Sequence, residues 1–204
     1  MELTGKQSMD TRSSYGNESN KQGKNMPRGK LFLMRHGESM GNAWKPAYKA
    51  DERNFLTPFG VIQAQLAGHW FKRRGISLDH LYSSNLNRAR HTMAVVLHES
   101  DWQRPWVNMP ALNELSDPDD PEEEARVRGA FHNIFTTWTE GNVLIISHYH
   151  SMQVIFDYLP VERKNIASHG GKHISNGVVF MWDPEPEKNW QITTPDLHWI
   201  GEQT

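Results

Sequence analysis

Apolar residues are almost missing from residues 1–29, a stretch dominated by Ser, Asn, Gly, Lys and Gln. Such a segment cannot bury enough surface to offset the entropy of ordering it, which marks it as a disordered tail. The pattern changes at Lys30, and residues 30–204 read as one folded domain. Leu31 to Met34 is a short strand-like run. Thr57-Pro58 then opens a helix, with Thr as the cap and Pro at the first helical position. Val61, Ile62, Leu66, Trp70 and Phe71 recur near helical spacing through Lys72, and Gly75 is placed to end the helix.

Leu78 to Tyr82 reads as a second strand running into Ser83-Ser84, and Arg88 to His98 as a helix with Ala89, Thr92, Val95 and Val96 inward. An acidic, proline-punctuated loop from Pro118 to Pro121 precedes a helix from about Glu122 to Trp138. Its apolar side holds Val127, Ala130, Phe131, Ile134 and Phe135. Val143-Leu144-Ile145-Ile146 is the clearest strand. Its continuous apolar run implies burial on both faces, as in a parallel sheet. Met152 to Leu159 reads as a helix, and Gly177 to Trp182 as a last core strand paired with Trp190 to Thr194. Strands alternating with helices specify an α/β domain, a three-layer α/β/α sandwich around a mostly parallel sheet.

Composition narrows the function. The chain has 204 residues and a net charge of −2, so no global basic field points to nucleic acid. Any anion site must be local. There is no cysteine, which removes a disulfide framework, a thiol nucleophile and thiolate zinc sites. No apolar run approaches a membrane span and no signal-peptide core opens the chain, so the expectation is a cytoplasmic protein without a membrane partner.

Open α/β sheets place ligands at the carboxyl ends of their strands. Here those ends carry Arg35-His36, Ser83-Ser84 followed by Arg88, and His148. Two guanidinium forks and two imidazoles suit a phosphoryl group: the forks hold its oxygens and a neutral imidazole attacks phosphorus in line.

Five ordered blocks extend this picture: RHGESMGN (Arg35 to Asn42), LTPFGVIQAQ (Leu56 to Gln65), YSSNLNRARHT (Tyr82 to Thr92), LNE (Leu112 to Glu114) and VLIISH (Val143 to His148). Together they resemble the histidine phosphatase superfamily, the group also named for the phosphoglycerate mutases. The resemblance implies a phosphoglycerate mutase-like fold and a metal-independent phosphatase that hydrolyses phosphomonoesters through a phosphohistidine, without a cofactor. It further implies His36 as nucleophile and Arg35 and Arg88 as phosphate ligands. His148 would donate to the transferring group. Glu114 would protonate the leaving oxygen and later activate water, and Asn42 would be a nearby polar contact. The acid's role requires a carboxyl that keeps a proton near neutrality; Asp117, Asp119 and Asp120 lie close by as alternatives.

Three features depart from the superfamily's usual pattern. Tyr149 stands where glycine usually follows the second histidine, and His148-Tyr149-His150 also spells a His-x-His metal pair without an evident third ligand. The segment between Glu114 and His148 is short and begins acidic (Asp117, Asp119, Asp120, Glu122, Glu123, Glu124), which disfavours a bisphosphorylated sugar acid and mutase or bisphosphatase activity. A short segment also leaves the site open to a bulky substrate, so the expected partner is a phosphorylated small molecule or phosphoprotein. Third, Lys45, Lys49 and Arg53 put positive charge in the stretch before the Leu-Thr block, either to recruit an anion or as a solvated loop. A catalytically weak phosphate-binding or scaffolding protein on the same fold is the alternative to an enzyme.

Overall fold

The computed structural model describes residues 27–44, 53–159, 174–184 and 191–192. Residues 1–26 of the expected tail, together with Lys45 and Lys49, lie outside the described residues. Pairing begins ahead of the first strand: the Arg28 N–H donates to the Thr139 carbonyl, and Gly141 N–H donates to the Arg28 carbonyl.

Among the described residues six strands form one sheet: β1 (Leu31–Arg35), β2 (His80–Ser84), β3 (Val107–Met109), β4 (Val143–Ser147), β5 (Val179–Trp182) and β6 (Gln191–Ile192), in the order β3-β2-β4-β1-β5-β6. The first four in that order are mutually parallel, whereas β5 runs antiparallel to β1 and to β6. The helices are a short α1 (Met40–Ala43), α2 (Pro58–Arg73), α3 (Asn87–Glu99), α4 (Pro121–Thr137) and α5 (Tyr149–Tyr158), with a 3₁₀ turn at Pro110–Leu112.

The two-residue alternation of side chains along a strand explains the layers. In β1, Leu31 and Leu33 join Val143 and Ile145 under α4 and α5, together with Val127, Phe131 and Ile155. Phe32 and Met34 point the other way, with Leu144 and Ile146, under Ala64, Phe71, Met93 and Val96 of α2 and α3. Every residue of β4 is buried, as its unbroken apolar run implies. The result is the three-layer α/β/α sandwich.

Element boundaries shift in instructive ways. The second strand begins at His80 rather than Leu78 and includes both serines; its pairing with β4 runs from His80 to Ser83 and that with β3 reaches Ser84, which sets its length. The fourth helix opens at Pro121, one residue early, because Asp120 supplies the cap by accepting from the Glu122 N–H. The fifth starts at Tyr149 rather than Met152, since His148 takes the cap position directly after β4. Gly177 belongs to a turn with φ of 75°, so the next strand starts only at Val179. β3 carries no hydrophobic signal: its residues are mostly exposed at the sheet edge. On α2 the inward face is Gly60, Gln63, Ala64, Ala67 and Gly68 with Trp70 and Phe71, while Ile62 is exposed. Small residues win there because the helix packs closely against the loop after β1 and against α3.

Candidate active site

The carboxyl ends of β1, β2 and β4 meet at one edge of the sheet, and the candidate residues hang from them. His36 follows β1 directly. Its N–H donates to the Ser147 carbonyl of β4, and its own carbonyl accepts from the Gly177 N–H and from Asn176 Nδ2 at 3.0 Å. The ring is buried. Its Nδ1 lies 2.7 Å from the Gly37 carbonyl, a partner that only accepts, so the proton sits on Nδ1 and Nε2 carries the lone pair. Arg88 Nε donates to that Nε2 over 3.2 Å.

This seat depends on two glycines. A Cβ on Gly37 would stand 2.3 Å from the Gly60 carbonyl oxygen, and one on Gly60 would stand 2.0 Å from the Glu38 carbonyl oxygen. The first turn of α2 therefore lies flat on the His36 loop. Thr57 caps that turn by accepting from Gly60 N–H, worth about 1 kcal/mol, and its hydroxyl also donates to Glu38 Oε1. On the other side, Gly37 N–H donates to Thr92 Oγ1, whose hydroxyl donates to the Arg88 carbonyl.

His148 is fully buried at the end of β4, its ring 5.0 Å from that of His36 between centroids. Its Nε2 sits 2.7 Å from Ser84 Oγ. The Ser84 hydroxyl donates to Asn113 Oδ1, so it accepts from His148, and the His148 proton is on Nε2. Nδ1 of His148 and Nε of Arg35 are then buried polar atoms with no hydrogen-bond partner among the described residues. Arg35 otherwise donates through Nη1 to the Ile174 carbonyl at 2.5 Å and stacks over the Tyr149 ring at 5.5 Å.

Both imidazoles are held neutral. Burial pushes the His36 ring well below the usual histidine range, with the Arg88 charge adding to it. Burial does the same for His148, reinforced by His36 and then by Arg88 and Arg35. Burial also lowers Arg35, opposed by the nearby Glu114.

Glu114 is placed differently. Oε2 accepts from the Tyr149 N–H at 3.1 Å, and Oε1 accepts from the N–H groups of His150 at 3.0 Å and Leu115 at 3.2 Å. The carboxylate thus sits on the first turn of α5, where unpaired N–H groups and the helix dipole favour an anion. Arg126 from α4 supports the approach by donating to the carbonyls of Pro110, Ala111 and Asn113. Asp117 and Asp120 have other partners: Asp117 accepts from Asp119 N–H and Asp120 caps α4.

Asn42 completes the group in an unexpected manner. Its Oδ1 accepts from Ser39 N–H, Ser39 Oγ and Asn176 Nδ2, which uses it to cap α1. Any phosphate contact must come from its Nδ2. Arg53 is exposed. Among the described residues no group of His, Cys, Asp or Glu has the arrangement of a metal site, and no helix is long and apolar enough to cross a membrane. Sequence reasoning did not single out Asn113 or Asn176. Both are loop amides: Asn113 lies inside the Leu112–Glu114 block without a role of its own there and Asn176 lies outside the blocks, and their value comes from distant segments meeting. Ser84 stood out only as a strand-end hydroxyl.

Known proteins resemble the chain in part of its sequence and in its fold. The model of the histidine phosphatase superfamily, branch 1, matches residues 31–119 of the chain. A broad-specificity phosphatase of Saccharomyces cerevisiae is 38% identical over 71 residues, which cover 35% of this chain and 30% of that protein. The chain spans about a third of the length of the curated relatives it matches. Likeness of fold extends further. The structure of a phosphoglycerate mutase from Bacillus anthracis superposes with a TM-score of 0.62 at 16% identity, covering 87% of this chain and 97% of that one. A putative phosphohistidine phosphatase SixA from Agrobacterium tumefaciens gives 0.60 at 15% identity, covering 81% and 95%. The phosphoglycerate mutase-like fold expected from the sequence is the one observed.

Proposed function

We propose that this protein is a metal-independent phosphatase that hydrolyses phosphomonoesters through a phosphohistidine on His36. The observation that carries the reading is the tautomer of His36: its Nδ1 proton is committed to a backbone carbonyl, and its Nε2 lone pair faces the Arg88 guanidinium. A neutral nucleophile beside a cation is what attack on a phosphoryl dianion requires.

In the first half-reaction Arg35 and Arg88 hold the phosphoryl oxygens. Nε2 of His36 bonds to phosphorus as the ester P–O bond breaks, and the electron pair leaves on the ester oxygen, which takes a proton from Glu114. The arriving negative charge favours protonation of His148 at Nδ1, turning an unpaired acceptor into a donor toward the transferring group. In the second half-reaction water attacks phosphorus, Glu114 takes its proton, and the N–P electron pair returns to Nε2. Tyr149 fits this scheme, since its N–H holds Glu114 and its ring supports Arg35. The acidic segment from Asp117 to Glu124, in which Asp117, Asp119 and Glu122 are exposed, favours a singly phosphorylated substrate over a bisphosphorylated one.

Phosphate release from p-nitrophenyl phosphate, sugar phosphates, nucleotides and phosphopeptides tests the reading beside His36→Ala. The expected result is turnover that persists in chelator, is inhibited by vanadate and vanishes in the variant. Acid-labile phosphate should label the wild type alone. Activity that chelation abolishes, or that His36→Ala retains, overturns the mechanism.

A further inference from the structure

The position two residues after the second histidine holds another imidazole, His150, and its geometry is tied to Glu114. The His150 N–H donates to Glu114 Oε1, and the His150 ring Nδ1 lies 3.4 Å from the same oxygen. That Nδ1 is buried and makes no hydrogen bond, although the ring as a whole is 36% exposed. The outer edge of the ring therefore reaches solvent while its inner nitrogen faces the carboxyl. The ring is fixed by an edge-on contact with Tyr149, centroids 4.9 Å apart and planes at 87°, and Tyr149 in turn lies under Arg35. Both oxygens of Glu114 already accept from backbone N–H groups. A proton on this carboxyl has to share them, whereas Nδ1 of His150 has one lone pair or one proton to offer to Oε1 and no other partner among the described residues.

We infer that His150 is a positioning residue that stores the acid proton for Glu114, acting through it rather than on the substrate. The inference rests on the phosphohistidine reading above. As the ester P–O bond breaks, the proton passes from Nδ1 of His150 to Oε1 of Glu114 and from the carboxyl to the leaving oxygen. When water attacks the phosphohistidine, its proton travels back by the same route. No net proton is consumed within the two enzyme atoms over a cycle. The charged and titratable groups around the pair are Arg35 over the Tyr149 ring, Tyr149 itself, His148 at the cap of α5 and Arg126 from α4.

The test compares two probes on the full chain. p-Nitrophenyl phosphate releases a stable anion that needs no acid, whereas β-glycerophosphate releases an alkoxide that does. In His150→Gln the kcat for β-glycerophosphate should fall by about ten- to a hundredfold while that for p-nitrophenyl phosphate stays within about threefold. The alkaline limb of the β-glycerophosphate profile should move to lower pH, because the imidazole that resupplies the acid proton is gone. Equal losses on both probes, or a limb that stays in place, overturn the inference. His150→Asn, whose amide falls near the position of Nδ1, repeats the test if the Gln variant does not fold; the same split is expected. Loss of acid-labile labelling in His36→Ala, measured in parallel, keeps the two readings apart. If His36 labels and the limb does not move, only the role of His150 fails. If wild type turns over neither probe, both readings fall.

Discussion

The proposed nucleophile and the candidate acid are held by opposite means. His36 is gripped by backbone on every side, from β4, from the turn before β5 and from the flattened start of α2, and its ring is buried. Glu114 stands on the end of α5 with its side chain 24% exposed, and it depends on three N–H groups and a neighbouring imidazole. The difference suits the two proposed roles. A nucleophile has one trajectory to phosphorus and gains from being immobile. An acid must exchange protons with its surroundings, so contact with solvent through His150 is an advantage.

The largest effect should come from the buried side. Arg88→Ala removes the proposed phosphate ligand and the group facing Nε2, and kcat/KM should drop about 10³-fold, near 4 kcal/mol, for aryl and alkyl esters alike. A loss confined to alkyl esters would break the division drawn here. Glu114→Gln should instead discriminate: about 10²-fold on β-glycerophosphate and little on p-nitrophenyl phosphate in steady-state assays of the chemical step.

Stability gives the same contrast. Gly60→Ala drives a methyl into the Glu38 carbonyl, and urea unfolding should show a loss of about 2–3 kcal/mol. Gly129 in the middle of α4 has nothing within 4 Å of a would-be Cβ, so Gly129→Ala should be neutral or gain up to about 1 kcal/mol from helix propensity. Equal responses would show that the close approach is not required.

A pH slope probes the buried pair of imidazoles directly. His36 and His148 are lowered in the folded protein by burial, so below the ordinary histidine range the unfolded chain binds the additional protons. Stability is therefore complete above about pH 6.5 and falls as pH drops, by up to about 1.4 kcal/mol per unit for each histidine. Denaturation midpoints between pH 7 and 5 measure it, and His148→Gln should reduce the slope. A slope of the opposite sign would mean the rings are charged in the native state.

Much of this was legible before any coordinates. The alternation of apolar runs specified the sandwich because buried strands and amphipathic helices each carry their own period. Strand ends could be located from where those runs stop, and with them Arg35, His36, Arg88 and His148, because ligands gather at carboxyl ends in this class of sheet. Thr57-Pro58 marked the start of α2 through local capping chemistry that needs no tertiary partner.

Other features were decided only by the assembled chain. The tautomer of His36 follows from one carbonyl orientation and that of His148 from a serine about sixty residues away in sequence. Asn42 reads as a ligand in the motif, yet its Oδ1 is engaged at the cap of α1 and by Asn176. Tyr149 breaks a familiar pattern in one dimension but becomes the first residue of α5, where its N–H grips Glu114 and its ring lies against Arg35. Periodicity and capping act over a few residues, so one sequence carries them. Proton positions and acid geometry depend on which distant donors and acceptors meet, and only the folded chain sets that.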